Sequence, residues 1–239
     1  MPTPLYSQIA TRLEEKIRAG KIAIGTRLPP ERELSASMRV NRLTLRQALQ
    51  TLEAKGLLTR RQGAGTYVAE PVIERQAGAL TSFTFGIQKR GLRPGAKIIR
   101  CEKRPVDSAL APELRLRPSA LVYVIYRLRL IDDEPVMLER YTIPVARFPG
   151  LDQQDLEHRS MYKVMEEEYG VSVRQARQSL QPVVADASVA KLLSVKRGAP
   201  LMQERRVSFD QKNRPVEAGC DLYRGDRFRF LTEMAPIEF

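Results

Sequence analysis

The chain has 239 residues, 43% hydrophobic and 28% charged, which is enough apolar material for one large domain or two ordinary ones. No apolar run approaches the roughly 18 residues of a membrane-spanning helix, and the N-terminus is polar, so we expect a cytoplasmic protein with no membrane partner. His158 is the only histidine, and Cys101 and Cys220 form no CxxC pair. This composition argues against a His-based metal site or catalytic triad and suits a reduced compartment. We expect no metal and no cofactor.

The positive charge is unevenly distributed. The whole chain carries a net charge of +12, and residues 1–70 contain 12 Lys and Arg against 6 Asp and Glu. Half of the excess therefore lies in less than a third of the chain. This bias predicts a polyanionic partner for the N-terminal part.

The first predicted element is an amphipathic helix that ends at Gly20. Pro29 and Pro30 then open a second helix, because proline is tolerated in a first turn. The first helix is indicated by apolar residues that recur every four positions: Leu5, Ile9, Leu13 and Ile17.

The stretch Leu28–Leu49 reads as two short helices joined by a tight connection. Asn41 is a good N-cap for the second of them, which is predicted to end before Gly56. Arg42 and Arg46 lie one turn apart on one side of this helix. The pattern predicts a helix-turn-helix that reads the major groove. The other side of the helix carries a buried stripe: Leu45, Ala48, Leu49 and Leu52.

Two short strands are predicted at residues 57–61 and 66–68, around a glycine-containing tip at residues 62–65. A basic hairpin after a helix-turn-helix is typical of the wing of a winged helix, although an ordinary glycine turn has the same local pattern. We assign residues 1–69 to this first domain. Residues 70–79 have no strong periodicity and are predicted to be a linker, followed by a second domain over residues 80–239.

The segments LPPERELSASMRVNRLTLRQAL and QGAGTYV resemble the DNA-binding domain of the GntR family of bacterial transcription regulators. The resemblance implies that arginines of the helix pair contact operator DNA, assisted by a threonine and the wing glycines. The predicted DNA-binding residues are Arg32, Arg39, Asn41, Arg42, Thr44, Arg46, Gly63 and Gly65.

The second domain contains a weak internal sequence repeat, in which residues 106–135 resemble residues 184–215. Both segments read as a short helix, a basic turn, a strand, a polar turn and a proline. Two copies of such a unit predict an α+β domain with one antiparallel sheet.

The predicted strand Leu121–Ile131 places Arg127 and Arg129 on one otherwise apolar face. Buried guanidinium groups need an anion, which is Glu139 on the next strand, another acidic side chain, or a ligand with phosphate or carboxylate. The turn at residues 132–135 leaves two registers open. A three-residue loop places Glu139 opposite Arg129, and a two-residue loop puts Arg140 on that face instead.

Ser160 precedes a predicted helix, Met161–Tyr169, that Gly170 closes. A serine at a helix start either caps the helix or forms part of an anion site with the free backbone N–H groups. Glu217 and Tyr223 lie on the last predicted hairpin, where the pattern alone favours a surface or core role over ligand binding.

The segments LTSFTF, RLR followed by DDEP, LERY, SMY, and PVE followed by YRGDRF resemble the UTRA effector domain. That domain has a chorismate-lyase-like fold and characterises the HutC subfamily of GntR regulators. The resemblance implies that two arginines and the serine bind the anion of an effector, and that the other positions hold the rest of it. The predicted effector-binding residues are Thr84, Arg127, Arg129, Glu139, Ser160, Tyr162, Glu217 and Tyr223.

These features together predict a transcriptional regulator, in the usual mode of the family a repressor, that binds a palindromic operator as a homodimer and responds to a small anionic metabolite. An amino-sugar phosphate such as N-acetylglucosamine 6-phosphate is the expected effector; urocanate, another organic acid or another sugar phosphate would use the same groups. A lyase-like enzyme tethered to DNA is the competing class, but the sequence offers no set of base, nucleophile and metal ligands. A third class is an architectural DNA-binding protein without a ligand. The pair Arg127 and Arg129 argues against it, because the two guanidinium groups need an anionic partner.

Overall fold

A computed structural model describes residues 4–61, 64–69, 72–79 and 81–233. The chain divides into two compact units, residues 1–73 and 74–239. Within the described ranges, no helix is both long enough and apolar enough to cross a membrane.

The first unit is three helices followed by a two-stranded hairpin. Its core is the buried stripe predicted for the third helix, packed against Ile9 and Leu13 of the first helix and closed by Leu58 and Val68 of the hairpin. Burial of these aliphatic side chains is what holds three short helices together, since helices of this length are marginal alone. The elements are α1 (Leu5–Arg18), α2 (Glu31–Ser37), α3 (Arg42–Ala54), β1 (Leu58–Arg61) and β2 (Gly65–Val68).

The connection between α2 and α3 is short because two residues in it have specialised backbone roles. Arg39 adopts the left-handed conformation with φ of 54°, which turns the chain sharply. The Asn41 side chain then accepts a hydrogen bond from the Thr44 backbone N–H at 2.7 Å and caps α3. The predicted helix-turn-helix is therefore present, with its N-cap at the predicted residue.

The predicted wing is the antiparallel pair β1–β2, in which Arg61 lies opposite Gly65. Gly65 has φ of 109°, and a Cβ atom there would lie 2.9 Å from Nε of Arg27, so the position requires glycine. The predicted tip residue Gly63 lies outside the described residues.

The segment predicted to be a linker contains a strand. Residues Ile73–Gln76 form β3, which pairs with β10 (Phe228–Leu231) at the other end of the second unit. A four-residue strand whose partner lies about 150 residues away in sequence has no local periodicity strong enough to reveal it. Ile73 is buried, whereas Glu74 and Gln76 are exposed.

The second unit is built on a six-stranded antiparallel sheet in the order β4-β5-β6-β9-β8-β7. One half of the sheet consists of β4, β5 and β6, and the other half consists of β7, β8 and β9, which follow one another from the edge to the centre in the same way. The two halves meet where β6 pairs with β9. The predicted repeat is thus the basis of the sheet. The remaining elements are α4 (Phe83–Gln88), β4 (Pro94–Pro105), β5 (Leu121–Ile131), β6 (Glu134–Pro144), α5 (Met161–Tyr169), β7 (Val173–Val184), α6 (Ala187–Leu193), β8 (Pro200–Asp210) and β9 (Pro215–Arg224).

The two copies of the repeat differ in their helical part. The second copy has the regular helix α6, whereas residues 108–115 of the first copy form successive turns. Both segments cover the same face of the sheet, each over its own apolar cluster. On the other face, α5 packs Met161, Val164 and Met165 against Tyr123 and Ile125 of β5.

The structure shows the register of the hairpin β5–β6, which the sequence left open. The observed register matches neither of the two alternatives. The turn has two residues, Asp132 and Asp133, both with positive φ. The register then shifts between Arg129 and Leu130, and this irregularity places Glu139 directly opposite Arg127. A β-bulge restores the face that a two-residue turn alone would have reversed.

Candidate nucleic-acid interface and ligand cavity

The exposed side of α3 carries the predicted DNA-binding arginines. Arg42 is exposed, and among the described residues its guanidinium makes no hydrogen bond or ion pair. Arg46 is also exposed but donates from Nε and Nη2 to Oε2 of Glu31 on α2, at 3.2 and 3.0 Å. Arg32 and Arg39 are exposed as well. These side chains form a cationic surface on the helix pair.

The polar residues predicted beside these arginines have backbone roles. Asn41 is occupied with capping α3, and Thr44 supplies the N–H group that it caps. Gly65 permits the close approach of the Arg27 side chain to the wing. Asn41 and Gly65 thus shape the surface, and the arginines supply its charge.

A cavity of about 350 Å³ lies in the second unit, on the face of the sheet that α5 covers. Its volume falls at the lower end of the range for sites that hold small metabolites. One wall comes from residues 75, 77–79 and 81–84, and another from the start of α5. Glu217 is the one predicted effector residue that does not line the cavity. The other seven do: Thr84, Arg127, Arg129, Glu139, Ser160, Tyr162 and Tyr223.

Arg127 is fully buried and internally satisfied. Its Nε and Nη2 donate to Oε2 of Glu139 at 3.0 and 2.7 Å, and Nη1 donates to the Leu156 carbonyl at 2.7 Å. Burial opposes ionisation of the guanidinium, but the charge and hydrogen bonds of Glu139, together with Tyr141 and Asp221, outweigh burial, and the pKa of Arg127 is raised. The same attraction lowers the pKa of Glu139 to about 2, although burial alone would raise it. Arg127 thus ties β5 to the segment that leads into α5.

Arg129 is buried but only partly satisfied. Its Nη1 is 3.4 Å from the Glu139 oxygen that Arg127 already uses, and its Nη2 donates to the Thr84 hydroxyl at 3.0 Å. Its Nε is buried and has no hydrogen-bond partner among the described residues. Burial and the neighbouring Arg127 charge lower the pKa of Arg129 despite the attraction of Glu139. A buried cation in this state favours a further anion.

The start of α5 adds hydrogen-bond donors to the same cavity. Ser160 occupies the N-cap position, but its side chain makes no capping hydrogen bond. The side chain of Ser160 therefore does not have the simple capping role that the sequence allowed. The first backbone N–H groups of α5 have no acceptor within the helix, so this end attracts negative charge.

Beneath the cavity, Glu217 organises a buried polar cluster. Its Oε1 accepts hydrogen bonds from Tyr162 at 3.1 Å, Ser208 at 2.5 Å and Nε of Arg206 at 3.0 Å. Glu217 therefore supports the cavity floor, and Tyr162 and Arg206 are the members of this cluster that line the cavity. The guanidinium of Arg206 lies over Gly219, where a Cβ atom would be 2.6 Å from Cζ.

Tyr223 lies on the floor of the cavity, fully buried. Its hydroxyl donates to Oε2 of Glu204 at 2.8 Å, and burial raises its pKa well above the ordinary value. Tyr223 therefore presents mainly its ring to the cavity.

Sequence reasoning missed several residues of the cavity. Arg75 is the most informative, because its guanidinium stacks 5.2 Å from the centre of the Tyr223 ring and makes no hydrogen bond or ion pair with any described residue. It lies in the segment predicted to be a linker, where no pattern marked it. Arg206 and Asp221 were missed because alternation on their strands can be assigned only when the sheet order is known.

Asp221 is the acidic counterpart of these arginines. One of its oxygens accepts from Nη1 of Arg206, and the other accepts from the Arg140 backbone N–H at 3.3 Å. Burial, together with the charges of Glu139 and Glu204, raises the pKa of Asp221 to about 7, against the opposing attraction of Arg206. The Asp221 carboxyl group therefore keeps its proton to a higher pH than an ordinary aspartate.

Both units match known protein families. The family of bacterial regulatory proteins named gntR matches residues 5–68, and the UTRA domain matches residues 89–229. The chain belongs to the GntR family. Its UTRA domain places it in the HutC subfamily, as the sequence motifs indicated, and the predicted pairing of a winged helix with an antiparallel-sheet effector domain is confirmed.

Related GntR-type proteins align along almost the whole chain. The chain is 33% identical to the HTH-type transcriptional repressor NagR of Bacillus subtilis, over 98% of this chain and 96% of that protein. It is 30% identical to MngR of Escherichia coli, a mannosyl-D-glycerate transport/metabolism system repressor, over 95% of this chain and 94% of that one. The crystal structure of PhnF from Mycobacterium smegmatis superposes with a TM-score of 0.73 at 29% identity, covering 97% of this chain and 99% of that one. This GntR protein is accordingly a transcriptional regulator and not an enzyme.

Proposed function

We propose that this GntR regulator is a repressor whose operator binding is controlled by a small anionic metabolite bound in the cavity of its UTRA domain. The observation that carries the proposal is Arg129, a buried cation whose Nε has no partner among the described residues, next to a helix start whose serine does not cap. A cavity that served only packing would have no reason to hold such donors, because leaving them unsatisfied costs free energy.

The DNA-binding part of the proposal rests on the helix pair. The N-terminal residues of a recognition helix contact base edges, while neighbouring basic residues contact phosphates. Arg42 and Arg46 in α3 are assigned to the operator, with Arg32 and Arg39 beside them. Glu31 holds Arg46 in the free protein and would be exchanged for a base or phosphate on binding. Operators with two-fold symmetry and a small reading head imply a homodimer.

The effector assigned to the cavity carries an anionic group at one end and polar groups at the other. Phosphate suits the donors of Arg129, Ser160 and the first N–H groups of α5. Elsewhere in the lining, Arg75 is a donor for hydroxyl or carboxylate oxygens of the ligand, and Asp221 is an acceptor for its hydroxyl or amino groups. An amino-sugar phosphate such as N-acetylglucosamine 6-phosphate has this distribution, and the name of MngR, which refers to a carboxylate-bearing sugar, supports a carbohydrate derivative.

Arg127 has a different place in this proposal from Arg129. Its hydrogen bonds are already satisfied by Glu139 and two backbone carbonyls. We assign it to orienting the start of α5 and to holding Glu139, and we assign the direct anion contact to Arg129.

The position of the cavity wall suggests how occupancy is transmitted. Residues 75, 77–79 and 81–84 follow the start of the second unit at Glu74, and they line the cavity directly. A ligand that binds these residues acts on the segment that follows the DNA-binding unit. By thermodynamic reciprocity, an effector that weakens operator binding is itself bound more weakly by the DNA complex.

The proposal is tested by a thermal-shift screen of the full chain against sugar phosphates, amino-sugar phosphates, sugar acids and urocanate. We expect at least one phosphorylated sugar to raise the melting temperature of the wild-type protein, and to have a smaller effect on Arg129→Ala. Stabilisation of both proteins to the same extent would place the binding site elsewhere. Stabilisation by organic acids alone would retain the cavity and replace the phosphate assignment.

A further inference from the structure

The centre of the exposed face of α3 is an aliphatic side chain. Leu43 lies in the first turn of the helix and is 67% exposed. With 3.6 residues per turn, it lies directly opposite the buried stripe, and Arg46, Gln47 and Gln50 follow it along the same exposed face. Arg42 lies to one side of this line. The side chain that points most directly away from the core is therefore a leucine.

Exposed leucines are common on protein surfaces and need no explanation by themselves. Leu43 differs from the others by its neighbours. It does not pack against the core of the first unit, and the residues that follow it along its face are Arg46, Gln47 and Gln50, with Ala54 at the end of the helix. On a face that approaches DNA, its methyl groups have one apolar partner available in the major groove, the C5-methyl group of thymine.

We propose that Leu43 is a specificity-determining residue that reads the methyl group of a thymine in each operator half-site. The proposal rests on α3 being the recognition helix of the proposed function. The first turn of a recognition helix is the part that reaches base edges, so a central residue there contacts the groove floor. Arg42 and Arg46, one turn apart on the flank of the helix beside Leu43, supply the charge that brings this turn against the DNA.

The first experiment selects the operator sequence from random DNA. Full-length wild-type protein, Leu43→Ala and Leu43→Met are each used to enrich duplexes from the same random library. We expect the wild type and Leu43→Met to enrich the same motif, and Leu43→Ala to lose its preference for thymine at one position per half-site. Because Leu43 is exposed, all three proteins are expected to melt at the same temperature.

The second experiment removes only the methyl group. In the duplex that the wild type selects, the assigned thymine is replaced by deoxyuridine, which keeps every hydrogen-bonding group of the base and lacks the C5-methyl. Burial of one methyl-sized group corresponds to about a fourfold change in Kd. We expect this loss per half-site for the wild type and no loss for Leu43→Ala. Deoxyuridine at a thymine outside the motif is the control.

The outcomes separate this inference from the proposed function. If the wild type enriches a motif that Leu43→Ala enriches equally, or if deoxyuridine costs both proteins the same, Leu43 does not read thymine and the regulator assignment stands. If the wild type enriches no motif at all, the assignment of α3 as the recognition helix fails, and this inference fails with it.

Discussion

At the scale of single residues, the charged side chains of the cavity differ in how completely they are paired with groups of opposite charge. Arg127 and Glu139 form a complete buried pair, whereas Arg129 shares the same carboxylate and Arg75 has no carboxylate partner within the described part of the chain. Breaking a buried pair by removing one partner costs about 3–5 kcal/mol, so Arg127 is a poor site for testing ligand binding. Arg129 and Arg75 can be removed while the Arg127–Glu139 pair remains intact.

Arg75→Ala is expected to weaken binding of N-acetylglucosamine 6-phosphate about tenfold or more, because a hydrogen bond from a charged group contributes roughly 1.5–3 kcal/mol. Calorimetric titration of the full chain measures this change. Arg117→Ala, which removes an exposed arginine outside the cavity, is the matched control. Equal loss of affinity in the two variants would mean that Arg75 acts only through net charge.

Asp221 makes the stability of the second unit depend on pH. Its pKa is raised to about 7 in the folded protein, from 3.8 for an unperturbed aspartate, mainly because the group is buried. The folded state therefore retains a proton that the unfolded state has lost, and stability falls as the pH rises from about 4 towards 7. We expect urea unfolding followed by circular dichroism to show this decline in the wild type and a smaller decline in Asp221→Asn. Parallel pH profiles for the two proteins would contradict the assignment.

At the scale of elements, α3 depends on a single cap. The Asn41 side chain satisfies the Thr44 N–H group, and the helix that it starts carries Arg42 and Arg46. Position 41 thus governs the geometry of the reading surface without supplying any of its charge.

Asn41→Ala is expected to destabilise the first unit by about 1 kcal/mol, since it leaves an N-terminal N–H group without its acceptor. For a unit of this size the melting temperature falls by roughly 4–8 °C. Asn41→Ser retains a capping oxygen and is expected to melt close to the wild type. If serine and alanine melt at the same temperature, the cap is not what starts the helix.

Most elements follow local rules of periodicity, capping and glycine placement, so they were predictable from the sequence. These include the aliphatic stripe of α3, the wing hairpin, the strand Leu121–Ile131 and the helix Met161–Tyr169. The strand β3 was not predictable, because its partner is β10 at the far end of the chain.

The register of β5 and β6 shows why part of the site was not predictable. Two-residue and three-residue turns both fit the sequence at residues 132–135, and the bulge that follows the turn decides which side Glu139 faces. A bulge depends on packing across the whole sheet, which no local pattern encodes. Arg206 and Asp221 join the cavity for a similar reason: their strands meet the β5–β6 hairpin only through the pairing of β6 with β9.

At the scale of the whole molecule, the proposed regulator has its output on α3 and its input in the UTRA cavity. The winged helix supplies charge and shape for DNA, and the cavity supplies donors for an anion. In the sequence, the segment that contains Arg75 lies between the winged helix and the rest of the effector domain. This arrangement requires that removing a cavity donor leave DNA binding intact and that removing a reading residue leave ligand binding intact.

The most direct measurement is fluorescence anisotropy of the full chain bound to its selected duplex, titrated with N-acetylglucosamine 6-phosphate and, in parallel, with the other sugar phosphates and organic acids of the screen. We predict that the wild type releases the duplex with one of these compounds. Arg129→Ala should bind the duplex normally but need at least tenfold more of that compound for release, and Arg46→Ala should lose specific duplex binding while still binding the compound. Release of the duplex from Arg129→Ala at the wild-type concentration, or specific binding retained by Arg46→Ala, would contradict the proposed division between input and output.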